Sequence, residues 1–366
     1  MNIECVKDKL LKELSKAEKI TGKNITLPIL SCVLLDASES ILTITSTNLD
    51  LGIEIKIPVK VNKPGKVAVS GFVLNNFISN LTNDKNINLE LIDNILNVST
   101  KHSKAQIKTF PIDDFPLIPK VSKENSFNIN TPDLIKGLKS VMYSASVSTI
   151  RPVLSSVLVY SEEDKLFFVG TDSFRLAEKN IKIKKHIDIE PILIPFKNIP
   201  EIIRSLEDIK DNVNVLINQN QIAFIYDDMY LTSRVIDGNF PDYKQIIPKD
   251  TKTEVIVLKQ DLINALKISN IFSDKFSKVV FNISQKNKSF TINTKNLDIG
   301  ENTHIIDSVI KGDDISISFN YKYIIDCFQS IDSDSITLQF FDINKPMIIK
   351  GVSDDTFIYL VMPMNK

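Results

Sequence analysis

Apolar and polar positions alternate with a strand-like period over most of this chain, and stretches of helical spacing interrupt that alternation at regular intervals. In the first such stretch Val6, Leu10, Leu11, Leu14 and Ala17 recur between lysines, which predicts an amphipathic helix. The next opens at Pro132-Asp133, a favourable first-turn pair, and carries Leu134, Ile135, Leu138 and Val141. A third uses Asp261, Leu262, Ile263, Ala265 and Leu266. A short strand is expected before each of these helices. Runs rich in Val, Ile, Leu and Thr follow them, cut by polar turns at 161–164 and 285–288. A second helix is then predicted in GFVLNNFISNL from Gly71, in FKNIPEIIRSL from Phe196 and in FNYKYIIDCFQSI from Phe319. Pro200 falls within a first turn, where its missing N–H has no helical partner to lose. Two further strands are expected to close each unit.

The same order of elements thus occurs three times, with a period near 123 residues. The block LPILSCVLLDASESILTITSTNLDL (27–51) is echoed by RPVLSSVLVYSEEDKLFFVGTDSFRL (151–176) and more faintly by FSKVVFNISQKNKSFTINTKNLDI (276–299). Thr47, Thr171 and Thr294 keep that interval, and so do Phe72, Phe196 and Phe319. Internal repetition at this scale makes the fold α+β, a unit of two helices and a majority of strands used in tandem. Boundaries are expected at two proline-rich stretches, 110–120 and 239–249, giving domains 1–121, 122–248 and 249–366. Tandem units leave one exposed face at each end, and a head-to-tail contact between those ends generates a closed ring or an open filament.

Composition narrows the class. The 366 residues carry 44 Lys plus Arg against 45 Asp plus Glu, so the whole chain has no nucleic-acid signature. The predicted helices, however, sum to about plus five, leaving about minus six elsewhere. Basic helices within an acidic rim suit a polyanion, and ordinary solvated faces fit the same arithmetic. Cys5, Cys32 and Cys327 lack any paired spacing and read as incidental reduced thiols. His102, His186 and His304 stand apart, without metal-ligand spacing. The charged N-terminal stretch is not of signal-peptide type and no apolar run reaches membrane length, so a soluble cytoplasmic protein is expected. Asp172, Ser173 and Arg175 have no histidine near them to act as base, and the pairs Asp113-Asp114 and Asp354-Asp355 lie in turn-like stretches. No phosphate-binding or dinucleotide motif is present. Neither catalysis nor a cofactor is expected.

Four passages decide between the open readings: TLPIL at 26–30, GTDSFRLA at 170–177, FPDY at 240–243 and YLVMPM at 359–364. With the threefold repeat, they make the chain resemble the bacterial DNA polymerase III beta subunit, the replicative sliding clamps, over essentially its full length. The resemblance implies three clamp domains per chain and a head-to-tail homodimer forming a six-domain ring, with helices lining the hole. Such a ring holds duplex DNA by topology and slides without reading sequence. Lys7, Lys12, Lys16, Lys136, Lys139, Lys197, Arg204 and Lys267 are the matching candidates to face DNA.

The resemblance also implies a cleft that receives short apolar peptides, typically with a glutamine, from the replicative polymerase, the clamp loader and other proteins. Its matching positions are Leu154, Thr171, Arg175, Leu176, Pro241 and Ile246, with Leu360, Met362, Pro363 and Met364 from the C-terminal passage. Methionines adapt to varied side chains, the prolines stiffen the walls, and Thr171 with Arg175 is expected to offer polar contacts. Alternatively Met362 and Met364, two apart, form the core face of a strand. Ser173, Phe174, Gln245, Pro152 and the Asn365-Lys366 tail depart from the family's pattern and are expected to reshape the cleft's edge. For the subunit contact, Lys101, Lys104 and Ile107 match one edge, and Ile271, Phe272, Asp298 and Glu301 the other, with Ala105 where a large aromatic is common. The competing reading is a monomeric three-domain adaptor that binds peptides without encircling DNA.

Overall fold

The computed structural model describes residues 1–22, 27–82, 84–122, 126–183 and 189–364; Thr26, His186 and the Asn365-Lys366 tail, named above, lie outside the described residues. Its helices are α1 (Lys7–Ile20), α2 (Gly71–Ser79), α3 (Thr131–Val141), α4 (Ile199–Leu206), α5 (Lys259–Ile271) and α6 (Tyr321–Asp326). The helices α1, α3 and α5 follow directly on the strands Asn2–Val6, Ser126–Asn130 and Thr253–Leu258. Leu10, Leu14, Ala17 and Ile20 form the buried stripe of α1, whereas Val6 precedes the helix as its N-cap and is exposed. Leu134, Ile135, Leu138 and Val141 are all buried, as their spacing predicts. Ser70 caps α2, its Oγ accepting from Val73 N at 3.4 Å, and Asn320 caps α6 through Lys322 N at 3.0 Å. Pro200 occupies the first turn of α4.

Two expectations need correction. Three strands, not two, follow each second helix: Asn86–Ile92, Ile95–Ser99 and Lys104–Phe110 after α2, then Asn212–Ile217, Gln221–Tyr226 and Met229–Arg234 after α4. Ser335–Phe340, Met347–Gly351 and Phe357–Val361 follow α6. The phenylalanine interval is also no structural repeat. Phe72 lies exposed in α2, Phe196 opens a 3-10 turn ahead of α4, and Phe319 is a fully buried member of the strand Ile315–Asn320, two residues before α6. Equal spacing in sequence fixes neither the face nor the element of a side chain.

The chain forms two compact units, Met1–Leu134 with Lys197–Val235 and Ile135–Phe196 with Ile236–Lys366, so the middle repeat is divided between them. Strand pairing causes the division. In the first unit one 13-stranded sheet joins the two repeats where Leu51–Pro58 pairs antiparallel with Met229–Arg234. In the second unit a nine-stranded sheet is joined the same way, by Arg175–Lys182 against Phe357–Val361. A four-stranded sheet, in the order Gly300–Ile306, Ser289–Asn296, Lys278–Ser284 and Ile315–Asn320, completes that unit. Each half of the middle repeat therefore extends its neighbour's sheet, and backbone hydrogen bonds bind it there.

Candidate functional site

The same loop is built twice, once at each seam. In the second unit Thr171 Oγ1 donates to Arg175 O at 2.7 Å and accepts from Ser173 N, while Asp172 Oδ1 accepts from Phe174 N and Arg175 N. In the first unit Thr47 Oγ1 donates to Leu51 O at 2.7 Å, and Asn48 Oδ1 accepts from Asp50 N and Leu51 N. Leu49 and Ser173 share a left-handed backbone, φ 76° and 77°. Across the seam Arg234 N donates to Asp50 O, and Met362 N to Phe174 O, each at 2.8 Å. The third copy lacks the loop. Its strand runs on to Asn296, the turn at 296–300 uses Gly300 at φ +137°, and the Thr294 hydroxyl is buried without a hydrogen-bond partner.

At the second seam Leu176 stands opposite Leu360 in register. Both belong to an apolar cluster with Leu158, Val169, Leu193, Tyr243, Phe341 and Ile348, against which Val153, Phe240 and Ile247 pack half-buried. Leu176 and Leu360 are thus buried in this cluster, while Pro241, Ile246 and Phe174 are exposed. The strand ends at Val361, so Met362 and Met364 are not a strand's core face. They lie half-buried beyond it, tied by Met362 N to Phe174 O and Met364 N to Ser318 O. Leu154 is buried outside the cluster.

The expected polar contacts turn inward. The Thr171 hydroxyl is spent on its own loop. The Arg175 side chain is only 11% exposed; Nε donates to Asp172 at 3.0 Å, Nη1 to Asp326 at 2.5 Å, and the guanidinium lies 4.8 Å from the Tyr323 ring centroid. Despite burial, these partners hold the guanidinium charged. Phe174, 59% exposed and stacked on Tyr323, is the side chain this loop presents outward.

The candidate cations separate into three groups. Lys7 and Lys16 keep only 13% of their side chains exposed; Lys7 Nζ donates to Leu81 O and Lys16 pairs with Glu13, so neither presents its charge outward. Lys12, Lys136, Lys197 and Arg204 are exposed but paired within their own units, with Asp208, Asp332, Asp50 and Glu201 respectively. Lys139 and Lys267 are exposed. The helix count of charge therefore overstates the outward field, because it ignores acids brought in from neighbouring loops.

Both strands expected at the subunit contact keep an unpaired stretch on one side. Over 104–108 the strand Lys104–Phe110 pairs only with Ile95–Ser99, its other neighbour meeting it at Thr109 and Phe110 alone. Its outward residues Lys104, Gln106 and Lys108 are exposed, whereas Ile107 is buried on the other face of the strand. The strand Gly300–Ile306 is the edge of the four-stranded sheet, with exposed Ile271, Leu297, Ile299, Ile305, Asp298 and Glu301 on or near it and Phe272 half-buried.

Sequence reasoning missed Glu178 and Tyr243, which form a buried hydrogen bond below the exposed 241–246 segment. Glu178, an acid directly after the passage LFFVGTDSFRLA and on the same strand as Leu176 and Ala177, was the available signal. The three cysteines are buried and unpaired; burial pushes the Cys5 thiol up to about 12 and Cys32 up to about 11, so neither is a ready nucleophile. Among the described residues no group of three His, Cys, Asp or Glu is placed to hold a metal ion, and no helix is long and apolar enough to cross a membrane.

A repeated α+β unit joined through continuous sheets, with an apolar cluster packed at one seam, defines the class of clamp-type scaffolds. The descriptions of the DNA polymerase III beta subunit match in order: the N-terminal domain over 1–119, the central domain over 128–242 and the C-terminal domain over 244–365. The chain belongs to this family. It is 25% identical to the beta sliding clamp of Staphylococcus epidermidis over 375 aligned positions, covering 100% of this chain and 99% of that one. Among solved structures it is similar to the DNA polymerase sliding clamp from Bacillus subtilis, at 25% identity, TM-score 0.94 and coverage of 100% and 99%. A sliding clamp from Pseudomonas aeruginosa bound to griselimycin is similar at 25% identity and TM-score 0.95, with both chains covered in full.

Proposed function

We propose that two copies of this chain associate head to tail into a ring that encircles duplex DNA, slides along it and tethers the replicative polymerase and other proteins of DNA metabolism. The observation that carries this reading is the pair of unpaired strand stretches. One is basic, with Lys101, Lys104 and Lys108, and the other bears Asp298 and Glu301 among exposed apolar side chains. Pairing them between copies satisfies their backbone groups, covers Ile271 and its neighbours, and sets polarity by charge. Such a contact is heterologous, and with two copies whose rotation closes it gives a ring rather than an open filament. The domains 1–121, 122–248 and 249–366 then occur twice around the circle.

Exposed Lys139 and Lys267, and the exchangeable exposed pairs of Lys12, Lys136, Lys197 and Arg204, supply the attraction to phosphate. Surface pairs of this kind are weak, which suits gliding rather than gripping. The cluster of Leu176 and Leu360, together with Pro241, Ile246 and the 362–364 segment, receives partner peptides, with Leu154 nearby and with Thr171 and Arg175 holding the loop that presents Phe174. The protein performs no chemistry itself and acts in the cytoplasm.

The test is to load the protein onto a circular plasmid with a clamp loader and compare release before and after linearising the DNA. Retention on the circle with loss from cut ends is expected. Equal release from both forms, with a monomer mass in solution, overturns the ring and leaves the adaptor.

A further inference from the structure

The interval that separates Thr47 from Thr171 also separates Glu54 from Glu178 and Lys120 from Lys244. In the first unit Lys120 Nζ donates to Glu54 Oε2 at 2.8 Å, tying the proline-rich stretch to the seam strand. Tyr230 reinforces the tie: its ring lies 4.0 Å from Lys120 Nζ, and its hydroxyl bonds Val121 N and Pro119 O. In the second unit the glutamate at the corresponding position again holds its linker, by different chemistry. Lys244 turns away to Glu162 at 2.6 Å, and Tyr243 Oη donates to Glu178 Oε2 at 2.5 Å, with the Tyr160 hydroxyl 2.7 Å from that of Tyr243. From Pro241 to Ile246 only Tyr243 is buried, at 4% exposure, so this side chain fixes the height of the wall on either side of it.

We propose that the Tyr243–Glu178 hydrogen bond is a latch that positions the 241–246 wall of the cleft, Glu178 and Tyr243 acting as positioning residues for peptide capture. The proposal rests on the cleft reading for its function, not for its existence. A neutral hydroxyl makes a better latch here than an ammonium. It can be buried among Leu176, Leu193 and Leu360 without the desolvation cost of a second charge. Burial pushes the Glu178 carboxyl up, and the Tyr243 hydroxyl offsets part of that rise.

The experiment uses the full chain and a synthetic peptide carrying one glutamine followed by leucine and phenylalanine residues. Affinity is measured by fluorescence anisotropy, and hydrogen exchange of the 241–246 amides is followed without peptide. Tyr243→Phe and Glu178→Leu each remove one end of the latch. Each should weaken the peptide by roughly three- to ten-fold, the size of one hydrogen bond, and speed exchange in the segment. Glu178→Gln keeps an acceptor oxygen and should restore both readouts to near those of the unmodified chain, a rescue that loss of packing alone does not give. The double variant should be no worse than either single one. Unchanged exchange and affinity in Tyr243→Phe overturn the latch. Failure of the unmodified chain to bind the peptide overturns the cleft reading, and exchange in Tyr243→Phe then still decides the latch.

Discussion

Arg175 reaches Asp326 at 2.5 Å, joining the 171–175 loop to α6 from a position 151 residues earlier in the chain. With Asp172 on its other face, the guanidinium is a joint between repeats rather than an open donor. Arg175→Ala should destabilise the second unit by about 2–3 kcal/mol in urea unfolding, since two carboxylates lose their partner. Arg175→Lys should recover less than half of that, because a single ammonium cannot span both acids.

Gly170 opens the second copy of the loop, and a Cβ there would lie 2.5 Å from the carbonyl oxygen of Val141. Backbone cannot step aside as a flexible side chain can. Gly170→Ala should cost roughly 1–3 kcal/mol of stability and lower the melting temperature, measured by calorimetry.

Glu178 gives stability a pH dependence of definite sign. Its folded pKa is raised, first by burial, above the unfolded value. The folded chain therefore binds the proton more tightly, and this contribution, fully present below the unfolded pKa, is lost as pH rises through the folded one. Glu178→Gln should remove the fall, so its stability relative to the unmodified chain should rise between pH 4 and pH 8. Parallel denaturation curves for the two proteins across that range check the prediction.

The separation of the lysines predicts opposite phenotypes. Replacing Lys139 and Lys267 together by Ala should shorten retention on circular DNA and make it less sensitive to salt. Lys16→Ala should leave retention unchanged, because the Lys16 ammonium is paired with Glu13 and little exposed.

Reversing one edge charge, Lys104→Glu, should shift sedimentation towards monomer. Glu301→Lys in the same chain should restore part of the dimer by re-forming the pair with opposite polarity. The exposed Lys295–Glu301 contact at 3.8 Å is too weak to hold Glu301 back.

The sequence by itself determined the repeating α+β unit and the buried stripes of α1, α3 and α5. These are local properties, set by spacing and by side chains within a few residues of one another. It also placed Leu176, Leu360, Met362 and Met364 in one candidate site through short passages alone. Only the tertiary structure decided that Phe319 belongs to a strand core while Phe72 faces solvent, because burial depends on which sheet lies opposite. It turned Arg175 inward, buried Ile107, took Lys7 out of the outward field and joined Tyr243 to Glu178. Each of those outcomes depends on a partner distant in the chain, such as Leu81 for Lys7, Asp326 for Arg175 or Tyr243 for Glu178, and no local pattern of hydrophobic and polar residues specifies such a partner.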